Sequence, residues 1–110
     1  MLLASLPEGA LSAYLCKAEL RALTPLTETS ARKLAKAIEQ AGANGYASVD
    51  QELELGLRAI GVPIRNRAGH IIAAMSISVR DPYTKAEDLT AKFLTDLRKA
   101  ADTITRNLPE

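Results

Sequence analysis

Apolar residues first recur at helical spacing over residues 31–41. Ala31, Leu34, Ala35, Ile38 and Ala41 fall on one side, and Arg32, Lys33, Lys36, Glu39 and Gln40 fall elsewhere. That pattern predicts a helix capped by Thr27, Thr29 or Ser30, stopped at Gly42 and followed by an Asn44-Gly45 turn. Upstream, Leu2, Leu3 and Leu6 precede a piece carrying Leu11, Tyr14 and Leu15. Pro7 suits the opening turn of that piece, and Pro25 breaks the helical pattern at Thr24.

The period then changes to two. Residues 46–49 read as a short strand. Residues 58–66 read as a second, with Ile60, Val62 and Ile64 on one face, and residues 70–79 as a third. Arg67-Ala68-Gly69 makes the turn between the last two, which predicts an antiparallel hairpin. Pro63 cannot donate to a ladder, so a free edge or a bulge is expected there. From Thr84 the helical period returns. Thr84 and Glu87 have capping-box spacing. Leu89, Phe93, Leu97, Ala100, Ile104 and Leu108 form a stripe, and Asp88–Lys92 and Asp102–Arg106 are spaced as i,i+4 pairs. Pro109 ends the helix. Helices, antiparallel strands and a final helix give an α+β fold, an antiparallel sheet with flanking helices.

Composition narrows the function. One domain, or a piece of one, fits 110 residues. Fourteen Lys and Arg against thirteen Asp and Glu leave a net charge of +1, spread along the chain. A DNA-binding surface needs a clustered basic excess to neutralise phosphates, so these residues are not expected to bind DNA. Cys16, the one cysteine, sits among Tyr14, Leu15 and Ala18 and reads as a buried or half-buried structural thiol in a reducing compartment. No apolar run reaches the ~20 residues of a membrane helix, and the first residues lack a basic signal-peptide start. The expected location is the cytoplasm, with no membrane partner.

Candidate chemistry lies on the hairpin. Ile71, Met75, Ile77 and Val79 point one way. Ile72, Ala74, Ser76 and Ser78 point the other way, with Ala59 and Gly61 on the neighbouring strand. Small residues leave room, and hydroxyls donate and accept, which suits a pocket for a small polar molecule. The same face could instead meet solvent or a close-packed helix. Asp50, Glu52 and Glu54 form an acidic stretch that reads as a solvated turn, and Arg58 could grip a ligand carboxylate or pair with Glu54. His70, the one histidine, has no nucleophile or orienting partner beside it, as a catalytic base would need. No phosphate loop or metal spacing is present, so no catalytic residue, cofactor or metal is expected.

The stretch from Gly45-Tyr46-Ala47 through Asp50-Gln51-Glu52-Leu53-Glu54 and Gly56-Leu57-Arg58 to Pro63 resembles the signature of effector-binding domains of IclR-family transcriptional regulators. Ala73-Ala74-Met75-Ser76-Ile77-Ser78 is similar to the family's following strand, and Leu2-Leu3-Ala4 with Leu23-Thr24-Pro25 to its upstream helices. The Asp-Gln-Glu-Leu-Glu-Leu-Gly form, with Lys92-Phe93-Leu94 and Leu97-Arg98, most resembles regulators of protocatechuate and 4-hydroxybenzoate catabolism, the β-ketoadipate pathway.

The resemblance implies a GAF- or profilin-like sheet and residues 1–110 as the C-terminal portion of the effector domain. The winged helix-turn-helix and first strands would lie outside this chain, leaving the sheet truncated at its N-terminal side. It implies Ser76 and Ser78 as pocket residues. Ala59 stands where some relatives carry cysteine, and Asp50 lies in an acidic pocket-edge motif where Val49 replaces a second acid. The implied partners are a small organic acid, such as protocatechuate, and further copies of the chain in a dimer or tetramer. DNA would be met only through the missing domain. The competing readings are a structural oligomerisation module without ligand, and a small enzyme using Asp50, Glu52 or His70.

Overall fold

The computed structural model describes every residue except Glu8, Pro82 and Glu110. A short 3-10 helix at Leu2–Ser5 is followed by α1 (Ala10–Lys17) and α2 (Ala31–Asn44). Then come β1 (Ala47–Asp50), β2 (Leu57–Arg65), β3 (Ile71–Arg80) and α3 (Ala86–Asn107). The strands form one antiparallel sheet in the order β1-β2-β3, so the expected α+β architecture with an antiparallel hairpin is present. Among the described residues, no helix is long and apolar enough to cross a membrane.

The core lies between the sheet and α3. Ile60, Val62 and Ile64 point from β2 onto Leu89, Leu97 and Ala101 of α3, and all six are buried. Ala73, Met75, Ile77 and Val79 of β3 flank them, with Phe93 and Ile104. Ala101 takes the buried place expected of Ala100, which is exposed. The molecule measures 43 × 36 × 18 Å.

Several element ends differ from expectation for identifiable reasons. Ser30 caps α2 by accepting the Lys33 N–H at 3.3 Å. The helix runs past Gly42 and stops at Gly45, whose left-handed φ of 75° no β-carbon opposes. Gly42 stays helical because it gives the 3-10 helix room, since a Cβ there would lie 3.3 Å from the Ala4 Cβ. Thr84 does not cap α3. Its hydroxyl donates to Asp81 Oδ2 at 2.7 Å, which leaves Lys85 at the cap and Glu87 and Asp88 in the first turn, where the helix dipole favours acids. The α1 cap is Gly9, two residues beyond Pro7, and Pro7 accepts the Ala10 N–H through its carbonyl. Leu15 fills the buried side of α1, which turns Cys16 out to solvent and not inward.

Pro63 sits where both expected features occur. The β1 ladder ends at Ala47↔Gly61, so that edge of β2 is unpaired beyond Gly61, and a register irregularity follows between Ile64 and Arg65.

Candidate functional site

Register joins the candidate residues into a patch. Ala59 faces Ser78 and Gly61 faces Ser76 across the β2–β3 ladder. On the other side Val49 faces Ala59 and Ala47 faces Gly61. Two rows therefore cross the sheet, Ala47–Gly61–Ser76 and Val49–Ala59–Ser78, on the face turned away from α3. Ser76 and Ser78 are exposed. A Cβ built on Gly61 would sit 3.7 Å from the Ser76 Cβ, in ordinary contact, so glycine widens the patch without being sterically required.

α2 overhangs this face beside β1. Its amphipathic pattern is strong, yet none of its residues is buried. Leu34, Ile38 and Ala41 look across a groove of about 410 Å³ towards Ala47 and Val49, with Glu52 at its rim. The groove's wall mixes apolar and polar side chains and includes Ala47 and Val49, the β1 ends of the two rows.

The segment leading into α2 is clasped to the β1–β2 loop. The Thr24 hydroxyl donates to the Gln51 carbonyl at 2.6 Å, and the Thr27 hydroxyl donates to the Glu52 carbonyl. The Glu28 N–H donates to Glu52 Oε1 at 3.0 Å. Gln51 presents its carbonyl from a left-handed turn, φ 60°, and accepts the Gly56 N–H on its side-chain oxygen. Thr24 is only 8% exposed, a polar group whose burial its hydrogen bonds offset. Sequence reasoning read Thr24 as the break before Pro25 and Thr27 as one possible cap of α2, and gave neither a partner in the β1–β2 loop. Their three-residue spacing around a proline was the available signal. Ala47 and Val49 were missed because the alternation of faces was not carried into the first strand.

The other candidates lie elsewhere. Asp50 faces Arg58 across β1–β2, on the α3 side of the sheet. Arg58 Nε donates to Asp50 Oδ1 at 2.7 Å, and its Nη1 to the Asp81 carbonyl at 3.0 Å. The Arg58 side chain is 11% exposed. Its partner is thus Asp50, and Glu54 is taken by Arg80 at 2.7 Å. The sheet pairs Arg58 with the residue opposite, and Glu54 projects from the loop towards the end of β3. Asp50, Glu52 and Glu54 each have separate work, and among the described residues no three metal-ligating side chains gather. His70 is exposed at the β2–β3 turn, its N–H held by Asn66 Oδ1 at 2.9 Å. Asp81 accepts the Tyr83 N–H at 2.8 Å and the Thr84 hydroxyl. These bonds, in that order, and the nearby Arg58 charge hold its carboxyl below the ordinary value of 3.8 against some desolvation.

Residues 1–106 match the family described as bacterial transcriptional regulator IclR C-terminal. The chain belongs to that family. The Pca regulon regulatory protein of Pseudomonas putida is 36% identical over 108 residues, covering 98% of this chain and 37% of its own. A crystal structure of a transcriptional regulator from Rhodococcus sp. RHA1 superposes with a TM-score of 0.90 at 40% identity, covering 96% of this chain and 42% of that one. The inducer-binding domain of Acinetobacter PobR, a double mutant in complex with 3-hydroxybenzoic acid, superposes with a TM-score of 0.88 at 28% identity, covering 94% and 59%. The chain spans about two fifths of the length of the curated relatives it matches. These relatives of the IclR chain are transcriptional regulators, not enzymes, so the reading built on Asp50, Glu52 or His70 as catalytic groups is set aside.

Proposed function

We propose that this IclR-family chain senses a small organic acid, bound on the sheet face that carries Ser76 and Ser78. One observation carries the reading. α3 packs on one face of the sheet, and the opposite face presents small residues and two exposed hydroxyls beside the α2 groove. Ser76 and Ser78 supply hydrogen bonds, while Ala47, Ala59 and Gly61 leave the space. Asp50 and Arg58 satisfy each other on the far side, so their part is to hold the sheet.

The acid is aromatic, protocatechuate or a relative of it. Support comes from the similarity to a Pca regulon regulator and to an inducer-binding domain complexed with 3-hydroxybenzoic acid. Residues 1–110 act as the C-terminal portion of an effector domain, and a separate domain contacts DNA. A net charge of +1 without a basic cluster agrees with that division. The chain works in the cytoplasm as a dimer or tetramer. Ile72 and Val49, 50% and 39% exposed around the open face, favour such self-association.

Isothermal titration with aromatic and keto acids, protocatechuate included, tests the reading. Saturable binding that weakens in Ser76→Ala or Ser78→Ala is expected. Absence of binding throughout, with serine variants that change stability alone, would favour a structural module, and binding left intact in both variants would place the acid away from the serines.

A further inference from the structure

We propose that the protein carries a second ligand site, for a compact oxyanion, between Arg65 at the end of β2 and Arg98 in α3. β2 continues to Arg65, whereas its pairing with β1 stops at Gly61. Pro63 has no N–H with which to recruit another strand, so the sheet edge stays open there. The opening is a concavity of about 380 Å³ whose walls include Arg65, Asn66, Arg98, Asp102 and Thr105.

Both guanidinium groups are positioned yet largely unspent. Arg98 lies 5.8 Å from the Tyr46 ring centre and donates from Nη2 to the Asn44 carbonyl at 3.0 Å. Arg65 donates from Nη1 to the Gly69 carbonyl at 2.9 Å. Arg58 and Arg80 each take a carboxylate partner, but among the described residues Arg65 and Arg98 are held by neutral carbonyls alone. A guanidinium offers five N–H donors, so most of each fork remains for a ligand. Thr105 fixes the walls relative to each other by donating to the Arg65 carbonyl at 2.7 Å, across the α3–β2 contact. Asn66 spends its side-chain carbonyl on His70 and keeps its amide donor.

Two guanidinium groups against the Asp102 carboxylate leave a positive pocket. Planar forks of this kind match carboxylate and phosphate oxygens. None of Ala59, Gly61, Ser76 and Ser78 is among the residues that wall this pocket, so it stands whether or not an effector binds at the serines.

The test is an amide-resolved NMR titration at constant ionic strength, with inorganic phosphate in one arm and succinate in the other. Saturable shifts are expected around Gly45, Asn66, Gly69 and Asp102, and the arm that saturates tells phosphate from carboxylate. Arg65→Gln, which leaves the Arg98–Tyr46 contact intact, should weaken binding by about tenfold. Arg98→Lys should weaken it too, because charge is kept and the fork is lost. Asp102→Asn should tighten it. Absence of saturation in both arms would overturn the proposal. So would shifts scattered over the surface, or binding that survives in the Arg65→Gln/Arg98→Lys double variant.

Discussion

Ser78 stands directly across the β2–β3 ladder from Ala59. A hydroxyl and a methyl thus share one patch, and no larger side chain of β2 screens the hydroxyl at that position. Ser76 has the same relation to Gly61. Each serine is exposed and outside the core. Ser76→Ala and Ser78→Ala should therefore each weaken acid binding by about five- to tenfold, with unfolding free energies within about 0.5 kcal/mol of the parent. Titration calorimetry and urea unfolding on the same samples check both halves.

Arg58 bridges β1 to the residue that follows β3, through Asp50 and the Asp81 carbonyl. Its side chain is nearly buried while Asp50 is half exposed, so the arginine matters more than the acid. Arg58→Ala should cost about 1–3 kcal/mol and Asp50→Asn less than about 1 kcal/mol, measured by denaturant unfolding. Equal costs would mean that the pair, and not the arginine's packing and carbonyl contact, carries the effect.

The serine patch was legible in the sequence because strand alternation alone sorts Ser76 and Ser78 from Met75 and Ile77. The hairpin register then supplied Ala59 and Gly61. Asp50 follows Val49 on β1 and Arg58 precedes Ala59 on β2, and one residue's offset along a strand is a change of face, so neither shares the serine face. Helix ends were less legible. Gly42 and Thr84 have the residue types of a stop and a cap, yet Ala4 and Asp81 claim them for tertiary contacts. The Thr24–Thr27 clasp depends on a loop far along the chain, so no local pattern reveals its partners.

The clasp can be broken singly. Thr24 is buried, donates to Gln51 and accepts the Leu26 N–H at 3.0 Å. Thr24→Val keeps the shape and removes both bonds. It should cost about 1–3 kcal/mol and speed amide exchange in residues 23–28 and 51–52 ahead of the rest of the protein, as hydrogen-exchange mass spectrometry would show.

Leu97 is 4% exposed within the α3–sheet core. Leu97→Ala should destabilise by about 2–5 kcal/mol. A cost near zero would mean that α3 does not pack on this face in solution.

Asp81 gives a pH dependence of known sign. A carboxyl held below its unfolded value contributes stability that is complete above that value and is lost as pH falls through the folded one. Melting temperature should therefore fall as pH drops from about 5 to about 2, more gently in Asp81→Asn than in the parent. Thermal melts across that range measure the difference, and identical slopes would remove Asp81 from the account.

The most direct measurement is the location of a bound aromatic acid in a co-crystal. The acid is expected on the sheet face opposite α3, within hydrogen-bond distance of the Ser76 or Ser78 hydroxyl and over Ala59 and Gly61. An acid ordered instead on the α3 side of the sheet, with the serine face empty, would contradict that placement.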